Sequence, residues 1–254
     1  PGAYRVQVIY TRIDRQADNT PVFTDYVYEL DTSEYFYPAS TVKLPVAALA
    51  VERINELDID SLTLFTTMLT DSAYSGQTAV RYDSSAADLR PSIAHYIRKI
   101  FLVSDNDAFN RLYEFLGQAY INNRLHEKGY HSVRLSHRLS IPLSVEENRY
   151  TNPVRFLSGD RVIYEQDLVY SPLAPASPVP IRLGECYIRA DSLIREPMDF
   201  TSKNFISLPD LHRMLQALIF PEYVPAENRF NLTKQDYEFL YRYMSMYPRE
   251  SRDP

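Results

Sequence analysis

The chain has 254 residues, 45% of them hydrophobic and 24% charged, and this balance excludes a disordered protein. The longest wholly apolar run, Leu44–Val51, is far shorter than the roughly 20 residues of a membrane helix, so we expect no membrane span. The net charge of −6, with scattered Lys and Arg residues, argues against a nucleic-acid partner, and the single Cys186 excludes an intrachain disulfide.

The N-terminal region has the pattern of a β-hairpin. Tyr4–Ile13 alternates apolar and polar residues, Pro21–Leu30 is also typical of a strand, and the polar stretch Asp14–Thr20 lies between them. A lone hairpin is marginal in water, so we expect further strands or a covering helix.

Helical patterns dominate the next part of the chain. Thr41–Leu57 is rich in Ala, Leu and Val, and Pro45 lies near its start, where a missing hydrogen bond costs least. Gly117 and Gly129 are placed to end helices. The predicted helices of this part are Thr41–Leu57, Asp60–Asp71, Leu89–Val103, Asp105–Gly117 and Ala119–Lys128.

The segment 140–197 has a different composition. It contains seven of the 17 prolines and is predicted to be mostly ordered loop, with one strand within Arg161–Tyr170. Helices are predicted again at Leu208–Phe220 and Lys234–Tyr247.

Ser40-Thr41-Val42-Lys43 forms an S-x-x-K tetrad at the start of a predicted helix. A hydroxyl and an amine three residues apart lie on one helix face, and burial lowers the pKa of an amine so that it accepts a serine proton. This is an arrangement for an activated nucleophile. The alternative is structural, with Ser40 as a helix cap and Lys43 as a solvated cation.

Ser104-Asp105-Asn106 follows the apolar end of one predicted helix and opens the next. Ser and Asp are also good helix caps, so the triplet alone leaves a structural interpretation open. It comes 64 residues after Ser40, and the S-x-x-K and S-D-N motifs together are much more specific than either one alone.

With these motifs the chain resembles the serine β-lactamase and penicillin-binding protein superfamily, particularly class A-type enzymes. YFYPASTVK and the following LPVAALAV resemble the nucleophile helix, and VSDNDAFNRLYEFLG resembles the S-D-N loop with its helix. INNRLHEKGY resembles the next helix, and MDFTSKNFISLPDLHRMLQALI resembles a later one more loosely. The resemblance implies an α+β fold in which a helical lobe packs on an antiparallel sheet.

The resemblance also implies roles for individual residues. Ser40 would attack the carbonyl carbon with its backbone N–H in the oxyanion hole, and Lys43 would help to take the serine proton. Ser104 would relay a proton to the leaving nitrogen, and Asn106 would bind a substrate amide. No cofactor is implied, and the location would be periplasmic or otherwise extracytoplasmic.

Two departures from the family pattern affect these expectations. The E-x-x-L-N pattern of the deacylating glutamate is absent, which leaves Glu147, or its neighbour Glu146, as a candidate base, with a solvated loop carboxylate as the alternative. The K-T-G motif is also absent, and Thr201-Ser202-Lys203 has its ingredients in the wrong order. We therefore expect residues 1–254 to form a single domain without its C-terminal strands, with low activity and stability.

The predicted function is a serine hydrolase that forms an acyl-enzyme with a small β-lactam or a peptidoglycan-like peptide amide. The alternatives are a DD-peptidase or penicillin-binding protein that deacylates slowly, and a non-catalytic binding module with the segment 140–197 as its partner surface. The spacing of His126, His131 and His137 fits no metal site, so no metal is expected.

Overall fold

The helical part of the molecule is built around helix α1, Lys43–Leu57, in the computed structural model, which describes residues 5–173 and 176–251. Ten of its 15 residues are buried. A helix that is apolar on most sides is stable only when other elements surround it. The other helices are α2 Ile93–Val103, α3 Asn106–Leu116, α4 Gln118–Glu127, α5 Leu208–Ile219 and α6 Lys234–Ser245. Helices α2 and α3 both contact α1, α4 contacts α3, and α6 contacts α2.

Side-chain caps fix where four of these helices begin. Ser92, Asp105, Ser207 and Thr233 each accept a hydrogen bond from a backbone N–H in the first turn of the helix that follows. Such caps satisfy donors that have no partner inside the helix. The predicted helices over these parts of the chain are confirmed, with ends that differ by a few residues, and Gly117 ends α3 as predicted.

The predicted N-terminal hairpin is confirmed by strands β1, Val8–Arg15, and β2, Pro21–Tyr28, which pair antiparallel over their whole length. Tyr4 lies outside the described residues. One face of the hairpin contacts α5, where Thr11 Oγ1 lies 2.7 Å from His212 Nε2. Among the described residues, β1 and β2 pair only with each other.

The prediction of a helix over Asp60–Asp71 is wrong. Asp58 ends α1 in a left-handed conformation with a φ of 48°, turns follow, and strand β3 occupies Thr67–Thr70. Thr63 and Thr66 bond to each other locally instead of supporting a helix. β-branched threonines favour a strand, and β3 finds a pairing partner in β5, Val154–Ser158.

The prediction that the segment 140–197 is mostly loop is confirmed for its described residues, but the segment contains more strands than the one predicted. Ala174 and Pro175 lie outside the described residues. The predicted strand within Arg161–Tyr170 divides into β6, Arg161–Gln166, and β7, Val169–Tyr170. Strands β3, β5 and β6 form a three-stranded antiparallel sheet, and the other strands form shorter pairs. The remaining strands are β4 Tyr150–Thr151, β8 Arg182–Leu183, β9 Tyr187–Arg189, β10 Ser192–Ile194 and β11 Met198–Asp199.

Six helices and small antiparallel sheets in the described residues confirm the predicted α+β class. None of the helices within residues 5–173 and 176–251 has the length and apolar character needed to cross a bilayer.

Candidate active site

A tight turn aligns Ser40 with Lys43. Residues Ala39–Val42 form a 3₁₀ helix that leads directly into α1. Pro45 has no N–H to give to the Thr41 carbonyl, so a regular α-helical turn is not completed here. Because a 3₁₀ helix has three residues per turn, side chains at i and i+3 eclipse one another. Lys43 Nζ therefore lies 3.1 Å from Ser40 Oγ.

The Lys43 amine makes a dense set of polar contacts. Its Nζ lies 2.5 Å from the backbone oxygen of Ser104, 2.9 Å from Ser104 Oγ and 2.7 Å from Asn106 Oδ1. Lys43 as a whole is 3% exposed, whereas Ser40 and Ser104 are exposed. A buried amine thus faces two hydroxyl groups that remain open to solvent.

The chemistry of these contacts determines where the lone pair of a neutral Lys43 amine points. The Ser104 carbonyl and Asn106 Oδ1 accept hydrogen bonds and cannot donate them. A neutral amine has two hydrogens, and these two acceptors take both. The lone pair is then left for the hydroxyl groups of Ser40 and Ser104, so the network suits an amine that removes a proton from serine.

Burial lowers the pKa of Lys43 below its usual value of 10.5, and the nearby Asp105 carboxylate opposes this shift in part. Desolvation penalises the charged ammonium, which makes the neutral amine more available near neutral pH. The direction agrees with the role of a general base.

The connection between α2 and α3 places the S-D-N triplet. Ser104 ends α2 in a left-handed conformation with a φ of 54°, and Asp105 caps α3 by accepting from Ala108 N at 2.7 Å. Ser104 Oγ donates to Ser40 Oγ at 3.0 Å. Asn106 begins α3 and faces Lys43. Thus Ser40, Lys43, Ser104 and Asn106, four residues that the sequence predicts for the site, lie in one hydrogen-bonded cluster.

A fifth polar residue, Ser140, joins this cluster without having been predicted. Its Oγ accepts from Asn106 Nδ2 at 2.8 Å. Ser140 is exposed and has a φ of 57°, an unusual conformation for a residue other than glycine. No motif marks Ser140 in the sequence, because its position depends on contacts between α3 and a distant loop.

Glu147, the candidate deacylating base, lies in a short 3₁₀ turn. It accepts from the Ser144 backbone N at 2.7 Å, and hydrogen bonding with the side chain and then the backbone of Ser144 lowers the pKa of its carboxyl. In the described part of the chain, no carboxylate forms a hydrogen bond to the cluster of Ser40, Lys43 and Ser104. The backbone oxygen of Lys203 accepts a hydrogen bond from Arg134 Nε. Among the described contacts, the Lys203 amine forms no hydrogen bond to this cluster.

The histidines serve local contacts. The rings of His126 and His131 lie 6.3 Å apart, and His137 Nδ1 lies 2.6 Å from the Arg138 carbonyl. Within residues 5–173 and 176–251, no group of three or more His, Cys, Asp or Glu side chains is placed to hold a metal ion.

A serine, a desolvated lysine and a second hydroxyl in mutual contact are typical of hydrolases that use an activated serine. Residues 22–245 match the sequence model of the β-lactamase enzyme family. The chain therefore belongs to the β-lactamase enzyme family, and at this level it is a β-lactamase-like hydrolase. No curated protein matches the chain.

Proposed function

We propose that this protein is a serine hydrolase that forms an acyl-enzyme on Ser40 with a β-lactam or a related peptide amide. The observation that carries the proposal is the buried Lys43 amine, whose lone pair is left for the hydroxyl of Ser40, 3.1 Å away. The family supplies the expectation of a small β-lactam substrate.

The acylation step uses all four clustered residues. Ser40 Oγ attacks the carbonyl carbon while its proton moves to Lys43, and the Ser40 backbone N–H donates to the developing oxyanion. The C–N bond then breaks, and Lys43 returns the proton to the leaving nitrogen through Ser104 Oγ, which lies 2.9 Å from Nζ. Asn106 has two N–H groups, so one meets Ser140 and the other is available to a substrate carbonyl.

Hydrolysis of the ester requires a base that activates water. Lys43 is the basic group within the cluster, and the Glu147 carboxylate is engaged by Ser144 instead. This observation favours a second candidate function, in which acylation is followed by slow deacylation, as in a DD-peptidase or penicillin-binding protein.

A non-catalytic binding module on the same scaffold is a weaker candidate. Burying an ammonium group carries a desolvation cost of several kcal/mol. A module that only binds a partner gains nothing from a desolvated lysine aimed at two exposed hydroxyls. Because the family is typically extracytoplasmic, we further propose a periplasmic or other extracytoplasmic location.

A fluorescently labelled penicillin tests these candidates, with Ser40→Ala as the inactive variant and Ser72→Ala, at an exposed serine, as the matched control. Rapid loss of substrate with transient labelling supports a β-lactamase. Stable labelling of one serine per chain supports the slow alternative. If wild-type protein neither consumes nor retains the penicillin, the acyl-enzyme proposal is wrong and the binding module is favoured.

A further inference from the structure

One face of α3 holds the loop segment 138–140 through three consecutive polar contacts. Asn106, Asn110 and Glu114 are spaced four residues apart, so they lie in a row along the helix. Asn106 contacts Ser140, and Asn110 bonds both backbone groups of Leu139, at 2.8 and 2.9 Å. The next contact joins Glu114 Oε1 to Arg138 Nε at 2.9 Å.

Buried ionic contacts support this attachment. Glu114 also meets Arg111 NH1 at 2.8 Å, and the side chains of Glu114, Arg111 and Arg138 are each at most 4% exposed. The Arg138 backbone N donates to Asn148 Oδ1 at 2.9 Å, so the loop is fixed from a second side. These contacts hold Ser140 in its left-handed conformation at the edge of the cluster.

The position of Ser140 bears on the orientation of the Asn106 amide. An ammonium group has no acceptor, so the Asn106 atom that faces it must be the oxygen. The amide nitrogen then faces Ser140, whose hydroxyl accepts from it at 2.8 Å. If the amide turned over, its N–H would compete for the lone pair of a neutral Lys43.

We infer that Ser140 is a positioning residue of the proposed acyl-transfer site, and that its hydroxyl holds the Asn106 amide with the oxygen toward Lys43. The inference rests on the proposed function. Ser140 acts through Asn106 and keeps the Lys43 lone pair available to Ser40.

Two substitutions separate this role from a structural one. Ser140→Gly removes the hydroxyl and suits the φ of 57°, so it leaves the fold as stable or more stable. Ser140→Asn tolerates the same backbone and returns an accepting oxygen. Ala190→Gly is the matched control, because Ala190 is exposed, has a φ of 45° and lies outside the cluster.

The first measurement is the pH profile of acylation by labelled penicillin. We expect Ser140→Gly to lower the plateau about tenfold, as expected for one lost hydrogen bond of about 1.4 kcal/mol. Loss of the Asn106 oxygen as a partner disfavours the ammonium, so the rising limb moves to lower pH. Ser140→Asn recovers most of the plateau, and Ala190→Gly matches wild type.

The second measurement is the Lys43 pKa itself, from NMR of protein with ¹³C-labelled lysine. The chain has five lysines, and Lys43→Arg identifies the resonance. The charged groups near Lys43 are Asp105 and, 3.7 Å from Asp105, Lys99, and none of the variants alters them. We expect a lower Lys43 pKa in Ser140→Gly than in wild type or Ala190→Gly.

The two measurements distinguish failure of this inference from failure of the proposed function. If wild-type protein forms no adduct, the proposed function is wrong, and the lysine titration alone decides the role of Ser140. An unchanged Lys43 pKa in Ser140→Gly overturns the inference. A Ser140→Gly protein that acylates with the wild-type plateau and limb also overturns it.

Discussion

The helical region around the candidate site and the N-terminal hairpin place their polar and apolar groups in opposite ways. Near the site, Lys43, Asn110 and Glu114 are buried, and each has polar partners. On the hairpin, the outward face of β1 and β2 exposes apolar and aromatic side chains, and Tyr10 is 60% exposed. The apolar and aromatic members of this exposed face are Val8, Tyr10, Val22, Tyr26 and Tyr28.

This difference separates the region that forms the candidate site from the region that does not, in the described part of the chain. All five clustered polar residues come from the turn before α1, the first residue of α1, the end of α2, the start of α3 and the loop held by α3. The hairpin contributes none of them and contacts the helical region through α5. We therefore expect the site and the hairpin to respond independently to substitution.

Of the substitutions considered, Lys43→Arg is expected to have the largest effect, and this effect is on the rate of acylation. A guanidinium keeps the charge but does not lose its proton, so acylation should fall by about 10²- to 10⁴-fold. The rate of labelling by a fluorescent penicillin measures the loss, and circular dichroism confirms folding. Lys234→Arg, at an exposed lysine of α6, is the control. Labelling of Lys43→Arg within tenfold of wild type would show that Lys43 is not the base.

Glu114→Ala tests the buried ionic contacts behind the site. It leaves Arg111 and Arg138 buried without their shared carboxylate, which should cost about 3–5 kcal/mol of unfolding free energy. Urea denaturation measures this cost. The matched control, Glu238→Ala, removes an exposed carboxylate of α6 and should change stability by about 1 kcal/mol at most. Equal effects of the two substitutions would contradict the importance of the buried pair.

The pH dependence of acylation should report the lowered pKa of Lys43. The neutral amine is the active form, so the rate should rise about tenfold per pH unit below this pKa and level off above it. The rising limb should lie below pH 10.5, the ordinary value for lysine. A limb centred at that value would show that Lys43 is solvated during the reaction.

Tyr10→Ser tests whether the exposed face of the hairpin contributes to stability, and it should have the smallest effect on stability and acylation. Tyr10 faces outward and contacts only the neighbouring Tyr26 ring among the aromatic residues described, with centroids 6.0 Å apart. We expect stability to change by about 0.5 kcal/mol and acylation to remain as in wild type. Leu112→Ala, within buried α3, should cost about 2–5 kcal/mol by comparison. A loss of similar size in Tyr10→Ser would show that this face is covered in solution.

The helices were predictable because apolar periodicity, caps and glycines agree at the same positions. Asp105 and Gly117 each mark an end that the structure confirms, whereas the helix predicted from Leu89 begins only after the cap at Ser92. The region Asp60–Asp71 was mispredicted because its apolar residues fit either structure, and pairing with β5 decides for a strand. Strands β4 and β8 pair with β7 and β11, which are too distant in sequence for a local pattern to show. Strands β5 and β6, and β9 and β10, form local hairpins, but these strands are short and lie among prolines and polar residues.

The candidate site was predictable to the extent that short motifs encode it. S-x-x-K and S-D-N identify four of the clustered residues, but neither motif encodes the contact between them. Ser140 was not predicted because a lone serine in a proline-rich segment carries no signal. Its position in the structure depends on the contacts of Asn110 and Glu114 with the loop. Glu147 was chosen by its location in the sequence, whereas its carboxylate bonds to Ser144.

The most direct test of the central claim is to locate the acyl group by mass spectrometry after reaction with penicillin and proteolysis. We expect one adduct per chain, on the peptide that contains Ser40, and none in Ser40→Ala. Ser72→Ala should carry the adduct at the same place as wild type. An adduct on any other serine, or one that persists in Ser40→Ala, would contradict the assignment of Ser40 as the nucleophile.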